Sequence, residues 1–224
     1  MKRARLGGGV NPEIENFVFD DDEKSAIAEA MCDVKPWKHS GVKSIRRRIK
    51  DFHLRMTKDT CCYCQRDLTG EFSLVIDVEH VLPSSLYKPQ TFLMWNLSAS
   101  CKRCNMDIKN DDVSFLQGSG SLESSARYKF AHPNFDEAED HIVRVAEQVG
   151  KARIVKYVKK SEGKGQYTYE YFNLSELEIG SYDEAQGASK TDPERVDIIE
   201  SMRCRVNEIT RSILGAVSLR WRRG

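Results

Sequence analysis

Two stretches of this chain repeat apolar residues at helical spacing. From Ser40 to Lys58, Val42, Ile45, Ile49, Phe52 and Met56 recur at alternating three- and four-residue steps, which predicts an amphipathic helix. Arg46, Arg47 and Lys50 fall on its polar side, either simply solvated or contacting phosphate beside a site. Near the C-terminus, Ile199, Met202, Val206, Ile209, Ile213 and Ala216 form a heptad-like stripe. It follows Thr191-Asp-Pro-Glu194, which reads as a capping box with proline in the first turn. The stripe packs either on the chain's own core or on a partner. A third helix is expected after Asp20–Asp22, whose carboxylates complement a helix dipole better than they make a metal site. It runs through Met31, and Pro36 ends the segment. Residues 1–19 read as extended or irregular, broken by Gly7-Gly8-Gly9 and Asn11-Pro12.

Between these helices, Leu74–Val78 reads as a strand and Asn105–Leu116 as a helix. The Gly- and Ser-rich stretch from Gly118 to Ser125 marks a boundary. It is followed by His132-Pro133-Asn134-Phe135 and a short charged helical segment containing His141. Arg153–Val158 and Gln166–Phe172 alternate in β fashion around a long loop and predict a hairpin. Tyr167, Tyr169 and Tyr171 would share a face of its second strand, where packing is preferred over base stacking. The expected class is α+β, with N-terminal helices over 1–59, a core over 60–117 and an α/β accessory region over 118–224 that could bind a partner.

Composition narrows the class. The 224 residues are 40% hydrophobic and 31% charged, with mean hydropathy −0.55. No apolar run approaches the ~20 residues that cross a bilayer. The N-terminus is basic but lacks the apolar stretch of a secretory signal, so the chain reads as cytoplasmic. Formal net charge is only +1, low for a protein that grips nucleic acid unaided. Delivery by a partner would relieve that need.

Seven cysteines are present, four of them in two C-x2-C pairs, Cys61/Cys64 and Cys101/Cys104. In a cytosolic chain this spacing favours metal over disulfide, and four thiolates close a structural zinc site. Cys62 competes with Cys61, but C61-x2-C64 matches the second pair. Cys32 and Cys204 stand alone on expected helices and read as small buried apolar residues.

A second constellation lies between the pairs: V78-E79-H80-V-L-P83, W95-N96-L97 and N105. Hydrolysis of a phosphodiester needs an activated water and a Lewis acid on the departing oxygen. A neutral imidazole at His80 suits the first task. Side-chain oxygens of Glu79 and Asn105 suit a hard divalent ion, Mg²⁺ or Mn²⁺. Asp77, one strand repeat before Glu79, is a further candidate ligand. The Asn96 amide could bridge backbone groups and orient the imidazole.

These residues resemble the HNH (ββα-metal) nuclease family, whose pattern is C-x2-C, an acidic residue with His and then Pro, a central Asn, C-x2-C-[HN] and a trailing Lys. The resemblance spans 61–109 and implies a treble-clef-like ββα core with structural zinc. It makes His80 general base, Glu79 and Asn105 metal ligands, Asn96 the orienting residue and Lys109 a phosphate contact. Glu79 stands where Asp is usual and Asn105 where His is usual. More widely, the chain is similar to HNH effector subunits of Septu-type and retron-associated anti-phage systems. That likeness implies an ABC/SMC-like ATPase partner, and in retron versions a reverse transcriptase with its RNA–DNA hybrid. The resemblance implies DNA as substrate and leaves RNA open, because a one-metal, one-base site neither needs nor excludes a 2′-OH. The competing readings are a stand-alone restriction-type HNH enzyme and a non-catalytic zinc-knuckle binding protein.

Overall fold

The computed structural model describes residues 10–179 and 193–221. It is a mixed α+β protein that divides into two compact units, residues 1–138 and 139–224.

In the first unit, α1 (Pro12–Glu15) starts where an extended segment was expected, because Asn11 caps it and Pro12 supplies the first helical φ. α2 (Asp21–Ala30) begins on a capping box: Asp20 Oδ1 accepts from the Glu23 amide at 2.8 Å, and Glu23 Oε2 accepts from the Asp20 amide at 3.1 Å. The acidic run therefore starts a helix, as its dipole predicts. α3 (Lys43–Thr57) buries Ile45, Ile49 and His53, one face at four-residue steps. Ile45 and Ile49 share an apolar cluster with Val42, Phe92, Met94 and Leu97. Within the basic triplet, Arg48 turns inward, donating to Glu23 at 2.8 Å and lying 4.2 Å from the Phe17 ring centroid. Arg46 and Arg47 remain on the polar face.

His53 is buried with neither ring nitrogen hydrogen-bonded, and burial pushes its pKa down to about 3. Below pH 6.5 the unfolded chain takes up a proton that the folded chain refuses. Stability present above that pH is therefore lost as pH falls, at up to about 1.4 kcal/mol per pH unit. His53→Met is expected to match or exceed the parent's stability at neutral pH and to flatten this slope. Urea unfolding at about pH 7 and about pH 5.5 measures both; an unchanged slope would exonerate His53.

β1 (Ile76–His80) pairs antiparallel with β2 (Leu97–Cys101), Ile76 facing Cys101 and His80 facing Leu97. Every residue of β2 is buried. Next comes a single π-helix, Arg103–Lys109, where a longer α-helix to Leu116 was expected. The Asn110 amide closes an i→i+5 bond on the Asn105 carbonyl at 2.7 Å, and Asn110 then turns the chain at φ 44°. A period of roughly 3.6 residues would separate Cys104 from Lys109 around the axis; the wider turn lets both face inward.

In the second unit, α4 (Ala138–His141) leads into β3 (Ile142–Val149), which pairs with β4 (Ala152–Lys159) across a two-residue turn holding Gly150 at φ 58°. The hairpin thus forms between 142–149 and 152–159, not between 153–158 and 166–172. Lys164–Tyr171 is instead α5. Its start is held by Ser161, whose Oγ accepts from the Gly165 amide at 2.9 Å. A side chain at Gly165 would meet the His141 carbonyl oxygen at 2.2 Å. Tyr167 and Tyr171 stack on each other one turn apart at 5.6 Å, whereas the Tyr169 hydroxyl donates to Glu178 at 3.2 Å. The three tyrosines do not share one face.

α6 (Pro193–Trp221) closes the unit. Met202 and Val206 are buried against Val145, Ile154 and Val158, so this part of the stripe packs on the chain's own hairpin. Ile209 is exposed. Thr191 and Asp192 of the expected capping box lie outside the described residues. Cys204 is exposed, two residues from each buried neighbour and thus on the opposite side of α6. Cys32 is exposed as well, past the C-cap of α2. Neither is the buried apolar residue its setting predicted. No described helix is long and apolar enough to cross a membrane.

Candidate metal and phosphodiester site

The cysteines converge from three segments. A tight turn carries Cys61 and Cys64, with the Gln65 amide donating to the Cys61 carbonyl at 2.9 Å and Gln65 at φ 53°. Cys101 ends β2 and Cys104 lies in the π-helix. Their four buried sulfurs lie within 4.8 Å of one another, and Cys64 Sγ is 3.8 Å from Cys101 Sγ. Four thiolates at zinc's bond length of about 2.3 Å stand about 3.8 Å apart in a tetrahedron. The group can therefore hold a zinc ion. The Cys101 amide points at Cys61 Sγ at 3.4 Å, which favours the thiolate. Cys62 is outside the group; its amide ties the turn to β2 through the Ala99 carbonyl at 3.0 Å.

Beside this cluster is an open cavity of about 920 Å³, lined among others by Trp37, Arg46, Arg47, Lys50, Asp77, His80, Asn105 and Lys109. His80 ends β1, with Nε2 3.0 Å from the Thr91 carbonyl. A carbonyl can only accept, which assigns the proton to Nε2 and leaves the lone pair on Nδ1. Burial pushes the His80 pKa down to about 4, against the Thr91 bond and with help from the Lys109 charge. The imidazole is thus neutral at pH 7. Trp37 meets it edge-to-face, centroids 4.6 Å apart.

Asn96 is fully buried behind that ring. Its Oδ1 accepts from the Leu82 amide at 2.7 Å, and its Nδ2 donates to the carbonyls of Leu82 and Gln90, both at 3.1 Å. It cross-links the loop between β1 and β2 next to Thr91, whose carbonyl holds His80. Asn134 braces the same loop, donating to the carbonyls of Trp95 at 2.8 Å and Leu97 at 2.7 Å.

The acidic residues separate. Asp77 faces the cavity, where Oδ1 pairs with Lys102 at 2.9 Å and Oδ2 accepts from Asn105 Nδ2 at 3.0 Å. Glu79 is fully buried behind it. Its Oε1 takes 3.0 Å contacts from the Tyr63 hydroxyl and the Lys109 ammonium. Its Oε2 is buried with no hydrogen-bond partner. Burial pushes the Glu79 pKa up to about 7, more than Lys109 and Tyr63 pull it down. Lys109 is 1% exposed, which sets it in the interior rather than on a solvated helix face.

The cavity therefore brings together His80, Asp77, Asn105, Arg46 and Arg47, while Glu79 and Asn96 stand behind it. At the cavity the Asp77 carboxylate and Asn105 amide lie side by side, oxygen-bearing groups of the kind a hard divalent ion prefers, while Glu79 Oε2 is a buried carboxylate oxygen with no hydrogen-bond partner. Sequence reading overlooked Trp37, Tyr63, Thr91 and Asn134. Thr91 acts through its backbone and leaves no residue-type signal. Tyr63 sits inside the C-C-Y-C run, where only the cysteines attract attention.

The chain is 30% identical over 132 residues to Septu protein PtuB of Bacillus thuringiensis. The match covers 58% of this chain and 42% of that protein, so the chain spans less than half of the curated relative. No family model matches the chain, and no solved structure matches it.

Proposed function

We propose that this chain is a metal-dependent HNH-type nuclease that hydrolyses phosphodiester bonds of nucleic acid, serving as effector of an anti-phage complex with an ATPase partner. The observation that carries it is His80: a neutral imidazole with its Nδ1 lone pair available, at a cavity walled by Arg46, Arg47 and Lys50.

His80 Nδ1 takes a proton from the attacking water. The Thr91 carbonyl holds the ring through Nε2–H, and Asn96 keeps that carbonyl in place. Arg46 and Arg47 attract the phosphate backbone. Asp77, Asn105 and Glu79 Oε2 would hold a divalent ion, which when bound supplies Lewis-acid stabilisation of the departing oxygen. Lys109 pairs with Glu79 at the cavity wall. The likeness to Septu protein PtuB supports work within a Septu complex, and a net charge of +1 accords with a substrate delivered by a partner.

His80→Ala, assayed with the co-expressed partner on DNA and RNA in Mg²⁺ or Mn²⁺, is expected to lower cleavage about 10²–10⁴-fold while zinc content and melting temperature stay at parental values. Equal cleavage by both proteins would remove His80 from the chemistry. Nucleic-acid binding without cleavage by the parent complex would favour a zinc-knuckle binding module.

A further inference from the structure

The cavity has a second kind of wall. Opposite in character to Arg46, Arg47 and Lys50, it carries Leu74, 81% exposed, and Met106, 58% exposed. Phe72, also 81% exposed, projects from the same turn as Leu74. That turn is held: the Val75 amide donates to the Phe72 carbonyl at 2.9 Å, and the Lys102 amide to the Val75 carbonyl at 3.2 Å. Lys50 reaches across from α3 to the Ser73 carbonyl at 2.6 Å and its hydroxyl at 3.1 Å. Phe72 and Leu74 are thus kept in water on a fixed lip, and Met106 of the π-helix and the Arg46 and Arg47 guanidinium groups line the same cavity as Leu74.

We propose that this lip receives the bases of single-stranded nucleic acid while Arg46 and Arg47 hold its phosphates. Charge complementarity selects a polyanion for the cationic side. The apolar side selects one whose base faces are available: a strand can lay a base on Phe72 and against Leu74, whereas a duplex hides those faces within its stack. Stacking of this kind tolerates any sequence, so the site would read strandedness rather than base identity. The inference rests on the cavity being a nucleic-acid site, and its test measures binding, which is independent of whether His80 cleaves.

The test uses this chain carrying His80→Ala with its co-expressed partner, labelled single-stranded DNA and RNA and a hairpin duplex of matched length, read by fluorescence anisotropy. Phe72→Ser with Leu74→Ser, both at exposed positions, is expected to weaken single-strand binding at least about fivefold, the lower end of what stacking one base contributes. Duplex binding should change less than about twofold. Arg46→Ala with Arg47→Ala should weaken both substrates together and reduce the salt dependence. Equal losses on strand and duplex, or no loss on either, overturn the proposal. So does unchanged oligonucleotide binding with loss of a co-purifying subunit, which would make the lip a protein-docking surface. Strand-selective loss in a protein whose parent proves non-cleaving would leave the lip standing and sink the nuclease reading alone.

Discussion

Cys104→Ser is expected to disorder the segment from Cys61 to Lys109 and to cost several kcal/mol of stability, a large part of the roughly 5–15 kcal/mol a domain possesses. The sulfur group joins three segments: the turn at Cys61–Cys64, the end of β2 and the π-helix. The sheet it secures has two strands of five residues, Ile76–His80 and Leu97–Cys101, too small to be independently stable. Apparent zinc binding energies of about 10–16 kcal/mol in small zinc modules set the scale. Metal analysis should find one zinc per parent chain and less in the variant, with a lower melting temperature and altered near-UV circular dichroism. Cys62→Ser, outside the group, should keep both the zinc and the melting temperature. A Cys104→Ser protein that melts like the parent would show that the cluster does not hold the fold.

Lys109→Met should be nearly as damaging. Lys109 and Glu79 are 1% and 0% exposed and 3.0 Å apart, so removing the cation leaves a carboxylate in the interior with the Tyr63 hydroxyl as its remaining donor. Breaking a buried pair on one side costs about 3–5 kcal/mol. Glu79→Gln breaks the same pair from the other side and leaves the Lys109 ammonium without its counter-ion, so it should cost a similar amount, and Glu79→Gln in the Lys109→Met background should recover part of the loss. The pH dependence has a definite sign. The Glu79 pKa is raised from 4.5 to about 7. Its contribution to stability is therefore complete below pH 4.5 and lost as pH rises through about 7. Without Lys109 that loss should extend to higher pH, so the variant's deficit grows from about pH 6 to about pH 8. Urea unfolding across that range checks it. A deficit under about 0.5 kcal/mol, typical of a surface substitution, would mean the pair is not buried as described.

Much of this molecule follows from residues close together in sequence. The Val42–Met56 spacing yields α3, the Asp20–Glu23 box starts α2, and the two C-x2-C pairs converge into one sulfur group. Each is a local device, in which a helical period, a cap or a chelating bite involves a few neighbouring positions. Alternation misled between Gln166 and Phe172, where three tyrosines at every second residue read as a strand. The Ser161–Gly165 bond and the close approach of His141 to Gly165 instead start a helix there, and β4 takes its partner from 142–149.

The chemistry divides in the same way. Residue types by themselves specify a thiolate group that can bind zinc and an imidazole-plus-oxygen set suited to phosphodiesters. They do not specify direction. Asp77 faces the cavity and Glu79 the interior, Arg46 and Arg47 line the cavity while Arg48 binds Glu23, and His80 owes its free lone pair to the backbone of Thr91. Those outcomes come from contacts between residues 11 to 30 positions apart, and only the packed chain decides which groups are desolvated and which stay open. The sequence by itself determined the helical spacing of α3, the cap of α2 and the residue types of the site; burial in three dimensions determined which acid, which arginine and which ring nitrogen face the cavity.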